Sequence, residues 1–216
     1  DLFYLWLGPC ITAGLLFESF RLTDRGQRTT LLLDAAILAI TGLTLVLVLY
    51  LPQHSTLPLP TLALLAAYPV TLFTAASVGL IAAPTLRLKR NGAYWLFLLS
   101  LIVTSVSWMV WNMMVLEGRP VEGARINSLF SVSVVGMGLA TLFWRFEPSQ
   151  NAVWDRISES ILRLLPLTAV VASSLAVILL LSQGGVPPLV RTIANTGALV
   201  VVGLAWPWLS RLPLGR

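Results

Sequence analysis

Few residues in this 216-residue chain can do chemistry. There is one histidine (His54), one cysteine (Cys10) and one lysine (Lys89). Two axial histidines for a haem, a His/Cys metal cluster and an intrachain disulfide are excluded by count alone. A Schiff-base lysine would have to be buried, but Lys89 stands in the charged run Arg87-Leu88-Lys89-Arg90, which reads as a loop. A serine nucleophile would need a base within reach, and His54 lies in the Pro-rich run QHSTLPL. Carboxylates paired at one depth of an apolar segment do not occur. The sequence therefore offers no catalytic constellation and calls for no metal and no cofactor.

Hydrogen-bonding and aromatic groups remain. Trp108, Trp111 and Asn112 recur at spacings of three and four, as do Arg191, Thr192 and Asn195, so each set shares a helix face. Ser105 precedes the first set, and Asn127, Ser128 and Ser131 open the segment that follows it. If the segments alternate in direction, these groups meet at one depth, and Trp108, Trp111, Asn112, Asn127, Arg191 and Asn195 become the candidate ligand-binding residues. A cleft among them would have aromatic walls and a few oriented polar groups. The structural alternative is plain interhelical hydrogen bonding.

The elements that must position these groups follow from composition. The chain is 57% hydrophobic and 11% charged, with a mean hydropathy of +0.86. A soluble domain carries about 25% charged residues. Seven apolar segments are each long enough to span a bilayer: 2–20, 31–51, 60–86, 94–116, 126–146, 164–182 and 189–209. The expected fold is all-α, a single polytopic bundle over 1–216 with about seven transmembrane helices. The chain opens directly in an apolar stretch without a signal peptide, which reads as a piece of something longer.

Of the 14 Lys and Arg residues, 11 fall in the first, third and fifth connections and the C-terminal tail, leaving Arg119, Arg125 and Arg191 for the other side. The positive-inside rule then puts the N-terminus outside and the C-terminus in the cytoplasm. The net charge of +5 is a topology signal rather than a nucleic-acid surface. Within 147–163, Val153, Trp154, Ile157, Ile161 and Leu162 recur at near-helical spacing among charges, as in an interfacial amphipathic helix or a cytoplasmic extension of the sixth span. Tyr4, Trp6, Tyr50, Tyr94, Trp95, Trp144, Trp206 and Trp208 stand at segment ends and read as an aromatic belt. Ala75, Gly79 and Ala83, and Gly136 and Ala140, form small-residue faces for close helix packing, with dimerisation as the alternative use. Pro69 should bend its helix or free a carbonyl. Glu18 and Asp34 lie inside apolar segments within reach of Arg21, Arg25 or Arg28, as an ion-paired turn or a conformational switch.

Several stretches carry a resemblance. They are Asp1-Leu2-Phe3-Tyr4-Leu5 with Pro9, Leu31-Leu32-Leu33-Asp34 opening a span that ends in an aromatic and Pro52, and Ala66-Ala67-Tyr68-Pro69 after a Leu-Pro-rich loop. Together they resemble the multi-pass sensor regions that precede GGDEF or EAL domains in bacterial cyclic-di-GMP signalling proteins. The likeness covers about residues 1–90. Val70-Thr71-Leu72 follows where an acidic residue often stands, and Tyr50 where tryptophan is common. The chain itself holds no GGDEF or EAL motif, so cyclase or phosphodiesterase activity would lie in a cytoplasmic domain beyond it. The resemblance implies a sensor region of the bacterial inner membrane that detects an external or lipid-borne cue and regulates a cytoplasmic effector, with a homodimer as one possibility. A small-molecule transporter and a structural membrane anchor are the alternatives.

Overall fold

The computed structural model describes residues 2–50, 58–85, 92–144 and 188–209, with 164, 167–172, 174–175, 177–179 and 182 between them. Long Leu-, Val- and Ala-rich runs without turn residues give six helices: α1 (Leu2–Leu22), α2 (Arg25–Tyr50), α3 (Leu59–Thr85), α4 (Gly92–Leu116), α5 (Ile126–Leu142) and α6 (Pro188–Leu209). The positions described between 164 and 182 are also helical, and no strand occurs among the described residues. The segment 147–163, His54 and Lys89 lie outside the described residues.

α2 starts six residues before the sequence expectation, because Asp24 caps it. The Gln27 N–H donates to Asp24 Oδ1 at 2.8 Å, an Asp-x-x-Gln pattern at a helix start. α4 ends on Gly118 at φ 66°. Arg119 N–H reaches Met114 O at 2.9 Å and Gly118 N–H reaches Val115 O at 3.1 Å. This paired closure needs a left-handed residue, which glycine supplies.

α3 is the central helix. α1, α2 and α4 all pack on it, while α5 packs on α4 and α6 on α2. Its small-residue face does that work: Ala75, Gly79 and Ala83 are buried within the one chain, and a Cβ on Gly79 would collide with Leu98 of α4. Gly136 of α5 likewise sits against Ser100 of α4. The main core gathers Leu15 of α1, Leu72 to Ala83 of α3, Phe97 to Leu101 of α4 and Met137 and Ala140 of α5.

The outside of the bundle is apolar. Phe17, Leu99, Val132, Leu142 and Leu199 are each more than half exposed, whereas Ser100, Thr104, Ser105, Ser107, Asn112 and Ser133 are buried. Water would not tolerate that inversion, but hydrocarbon would. Arg25–Tyr50, Pro60–Ala83 and Gly92–Leu116 are long and apolar enough to cross a membrane, which points to a membrane protein.

Two aromatic residues depart from the belt expectation. Tyr50 and Tyr94 are each 1% exposed. The Tyr94 hydroxyl donates to the Gly79 carbonyl across the α3–α4 seam. These rings end helices but point inward, where their hydroxyls find backbone acceptors.

Candidate functional site

The site is built on a break in the hydrogen-bond ladder of α3, which stays helical from Leu59 to Thr85. Proline has no N–H, so Pro69 leaves the carbonyl four residues back, that of Leu65, without its helical donor. Asn112 of α4 supplies the donor, with Nδ2 2.7 Å from Leu65 O. The same amide group donates to the Tyr50 hydroxyl at 3.2 Å, and Tyr50 in turn reaches Met109 O at 3.4 Å. Two turns back on α4, Ser105 Oγ donates to the Pro69 carbonyl at 2.8 Å. One amide thus joins the C-terminal end of α2, the break in α3 and the last turns of α4.

Aromatic rings close the face between Ser105 and Asn112. Trp108 stacks on Tyr68 with centroids 4.3 Å apart and planes at 14°. It meets Trp111 edge-on at 5.5 Å and Phe130 of α5 at 5.1 Å. Spacings of three and four along α4 put Ser105, Trp108 and Asn112 on the stripe that faces α3. A further polar link ties α4 to α5, where Thr104 Oγ1 and Ser133 Oγ stand 2.9 Å apart.

Asn112 is fully buried. Both its N–H bonds are used, but its Oδ1 is enclosed and has no hydrogen-bond partner. A buried acceptor left unsatisfied is unfavourable by about 1–3 kcal/mol. What the arrangement can do chemically is accept one more hydrogen bond beside a stacked aromatic wall. It contains no acid–base pair and no nucleophile, and no group of three His, Cys, Asp or Glu side chains that could hold a metal occurs among the described residues.

The sequence-derived candidates divide. Trp108, Trp111 and Asn112 come together on α4 as their spacing required. Asn127 is exposed and turns back on the α4–α5 connection, where its Nδ2 donates to Val121 O at 2.9 Å. Arg191 and Asn195 are exposed on α6, whose inward residues are Ala194 and Val201. α6 packs on α2, so its polar face is not delivered to the aromatic face of α4. Tyr50 and Tyr68 complete the junction, although sequence reasoning had placed Tyr50 in the interfacial belt. The usable signal was the fourth residue before Pro69, whose carbonyl must find a side-chain donor.

The acidic pair divides as well. Glu18 forms the expected ion pair, Arg21 Nη1 lying 3.3 Å from Glu18 Oε2. Asp34 forms none. It is buried on α2, while Arg28 Nε donates instead to Thr23 O at 3.1 Å, closing the α1–α2 turn.

Compared with known proteins, the chain matches no family model, no curated protein and no solved structure.

Proposed function

We propose that this chain is the sensory, signal-transducing membrane region of a bacterial inner-membrane protein. Seven spans place the N-terminus outside and the C-terminus in the cytoplasm. An external or lipid-borne cue enters beside Trp108, Trp111 and Asn112 and biases the packing of the bundle, and α6 carries that bias to a cytoplasmic effector. The observation that carries this reading is Asn112: one side chain binds three helices at a helix break, with a buried acceptor still unsatisfied. A cue bearing a hydroxyl, amide or ammonium donor would bind better to the packing that offers Oδ1 to it. Such a difference in affinity between two states is what a sensor requires. The 11-to-3 asymmetry of Lys and Arg supports the orientation. The resemblance of residues 1–90 to sensor regions before GGDEF or EAL domains supports the effector class.

The test is made in the full-length protein in its native membrane. Asn112→Leu removes the response of the effector to native stimuli while the protein still inserts. Unchanged regulation in that variant would remove Asn112 from the proposal. Accessibility of tags placed in the 117–125 connection and after Leu209 reads the orientation, the first expected from outside and the second only from the cytoplasm.

A transporter is the second reading, favoured by the proline within α3 beside a polar stripe on α4. The freed carbonyl of Leu65 is, however, capped by Asn112 rather than left to line a path. Substrate flux in proteoliposomes separates the two.

A further inference from the structure

α5 packs on α4 through small residues. Ser133, Gly136 and Ala140 of α5 are buried. A Cβ on Gly136 would collide with Ser100 of α4, and Ser133 Oγ stands 2.9 Å from Thr104 Oγ1. An aromatic contact closes each end of the seam. Phe130 meets Trp108 at 5.1 Å, and Trp144, just past α5, meets Tyr94 at 5.1 Å and Phe97 at 5.5 Å.

The hydroxyls of this seam are unevenly satisfied. Thr104 has one O–H and two acceptors for it, Ser100 O at 2.7 Å and Ser133 Oγ at 2.9 Å. Ser133 donates its own O–H to Phe130 O at 2.9 Å, within its helix. The bond between the helices can therefore break without stranding either donor. Spacings of four and three put Ser107 on the same side of α4 as Ser100 and Thr104. Ser107 is 1% exposed, and its Oγ is enclosed with no hydrogen-bond partner. A buried hydroxyl left so is unfavourable.

Each of these contacts has a counterpart one turn along α4. If α5 moves by that turn toward the C-terminal end of α4, Ser133 meets Ser107 in place of Thr104. Gly136 then meets Thr104, and Ala140 takes its place beside Ser100. Phe130 meets Trp111, which already stands edge-on to Trp108 at 5.5 Å, and Trp144 leaves Tyr94 but keeps Phe97. The 117–125 connection slackens in this move, because α5 approaches the end of α4 to which it is joined.

We infer that α5 is a two-position ratchet on α4. In the position described here Thr104 donates to Ser133. In the other, α5 lies one turn, about 5.4 Å, nearer the 117–125 side, and Ser107 donates to Ser133 instead. α4 does not move, being fixed to α3 through Asn112 and Ser105. The ratchet does not rest on the sensory role proposed for Asn112, since both positions are set by the α4–α5 seam.

The test uses the whole chain in lipid nanodiscs, with Cys10→Ala and pairs of spin labels on exposed positions. One sample carries Leu99→Cys with Leu129→Cys, the other Val110→Cys with Leu142→Cys. Sliding carries Leu129 away from Leu99 and brings Leu142 toward Val110. Each sample is expected to show two distances about 5 Å apart, the second longer in the first sample and shorter in the second. A single distance in both samples would overturn the ratchet. So would a second distance that is longer in both, which means that the helices separate. Ser107→Ala, which removes only the second donor, is expected to lower the share of the shifted position about threefold. Thr104→Val, which keeps the shape but not the first bond, is expected to raise it by a similar factor. Shares that stay the same in both variants would overturn the exchange of hydroxyl partners, and the labelled chain without them decides even if a variant does not insert.

Discussion

The α3–α4 seam and the α2–α6 seam achieve close approach by different means. Both use glycine against a neighbouring side chain: Gly79 against Leu98, and Gly197 against Thr44. The α3–α4 seam then adds direction. Asn112, Ser105 and Tyr94 each donate across it to a backbone carbonyl. On α2 the hydroxyls are turned inward to their own helix, Thr41 to Ile37 O and Thr44 to Ile40 O, both at 2.8 Å. No hydrogen bond between α2 and α6 occurs among the described residues, and their seam is held by Val46, Ala194 and Val201 packing through shared apolar clusters. Hydrogen bonds fix a register, whereas small apolar side chains tolerate more than one. The difference makes α3 and α4 the rigid part of the molecule and α2–α6 the seam that can slide. The unpartnered Asp34 sits on the second of these, and so does the helix that leads to the C-terminus.

The comparison breaks most severely at the glycines. In Gly79→Leu the new side chain meets Leu98 on one side and lies near Leu15 of α1 on the other. Overpacking between three helices whose register is fixed is expected to cost about 3 kcal/mol or more. At Gly197→Leu the new Cβ meets the side chain of Thr44, and α6 can shift to accommodate it. A loss of about 1 kcal/mol is expected there. Thermal midpoints of the two variants in nanodiscs check this, and equal losses would remove the distinction between the seams.

Asn112→Leu comes next. It strips the donor from Leu65 O and from the Tyr50 hydroxyl inside a fully buried site, for an expected loss of about 2 kcal/mol. The helix break explains why the asparagine is needed, and a double-mutant cycle isolates that explanation. Pro69→Ala restores an N–H four residues after Leu65. In that background Asn112→Leu should destabilise by about 1 kcal/mol less than it does alone. A coupling energy near zero would mean that Asn112 serves Tyr50 and not the break.

Much of this architecture was legible in the sequence, for identifiable reasons. Helix positions follow from apolar runs, and the small-residue faces of α3 and α5 follow from spacing. The junction was half legible. Pro69 announces a freed carbonyl, and Trp108, Trp111 and Asn112 announce a face, but nothing local says that α4 rather than α6 delivers the donor. That choice is made by helix order around α3, a tertiary fact. The same order explains Arg191 and Asn195, whose depth was inferred from alternation while their direction depends on which face of α6 packs on α2. Tyr50 was misassigned because an aromatic at a helix end suits the headgroup region and a buried hydrogen bond equally well. Asp34 was expected to find an arginine because Arg28 and Arg25 lie within about three turns of it and Arg21 just beyond the α1–α2 turn. The α1–α2 turn uses Arg28 and Arg21 locally, and the side chain at position 34 faces the apolar cluster instead.

The smallest expected effects lie at the exposed members of the sequence-derived set. Arg191 and Asn195 are exposed on α6, and Asn127 makes a single exposed hydrogen bond to its own connection. Alanine at Arg191 or Asn195 should change stability by no more than about 0.5 kcal/mol, as surface substitutions do. Asn127→Ala should lose about 0.5–1 kcal/mol with its bond to Val121. These small values are useful because they separate fold from response. If Arg191→Ala leaves the thermal midpoint unchanged and still abolishes regulation of the effector, the exposed face of α6 touches the cue or a partner directly. If it changes neither, recognition is confined to the aromatic and amide face of α4, and the sliding seam only relays what is bound there. Stability and response measured on the same reconstituted variant decide between the two, because the packing of α6 on Ala194 and Val201 is untouched by either substitution.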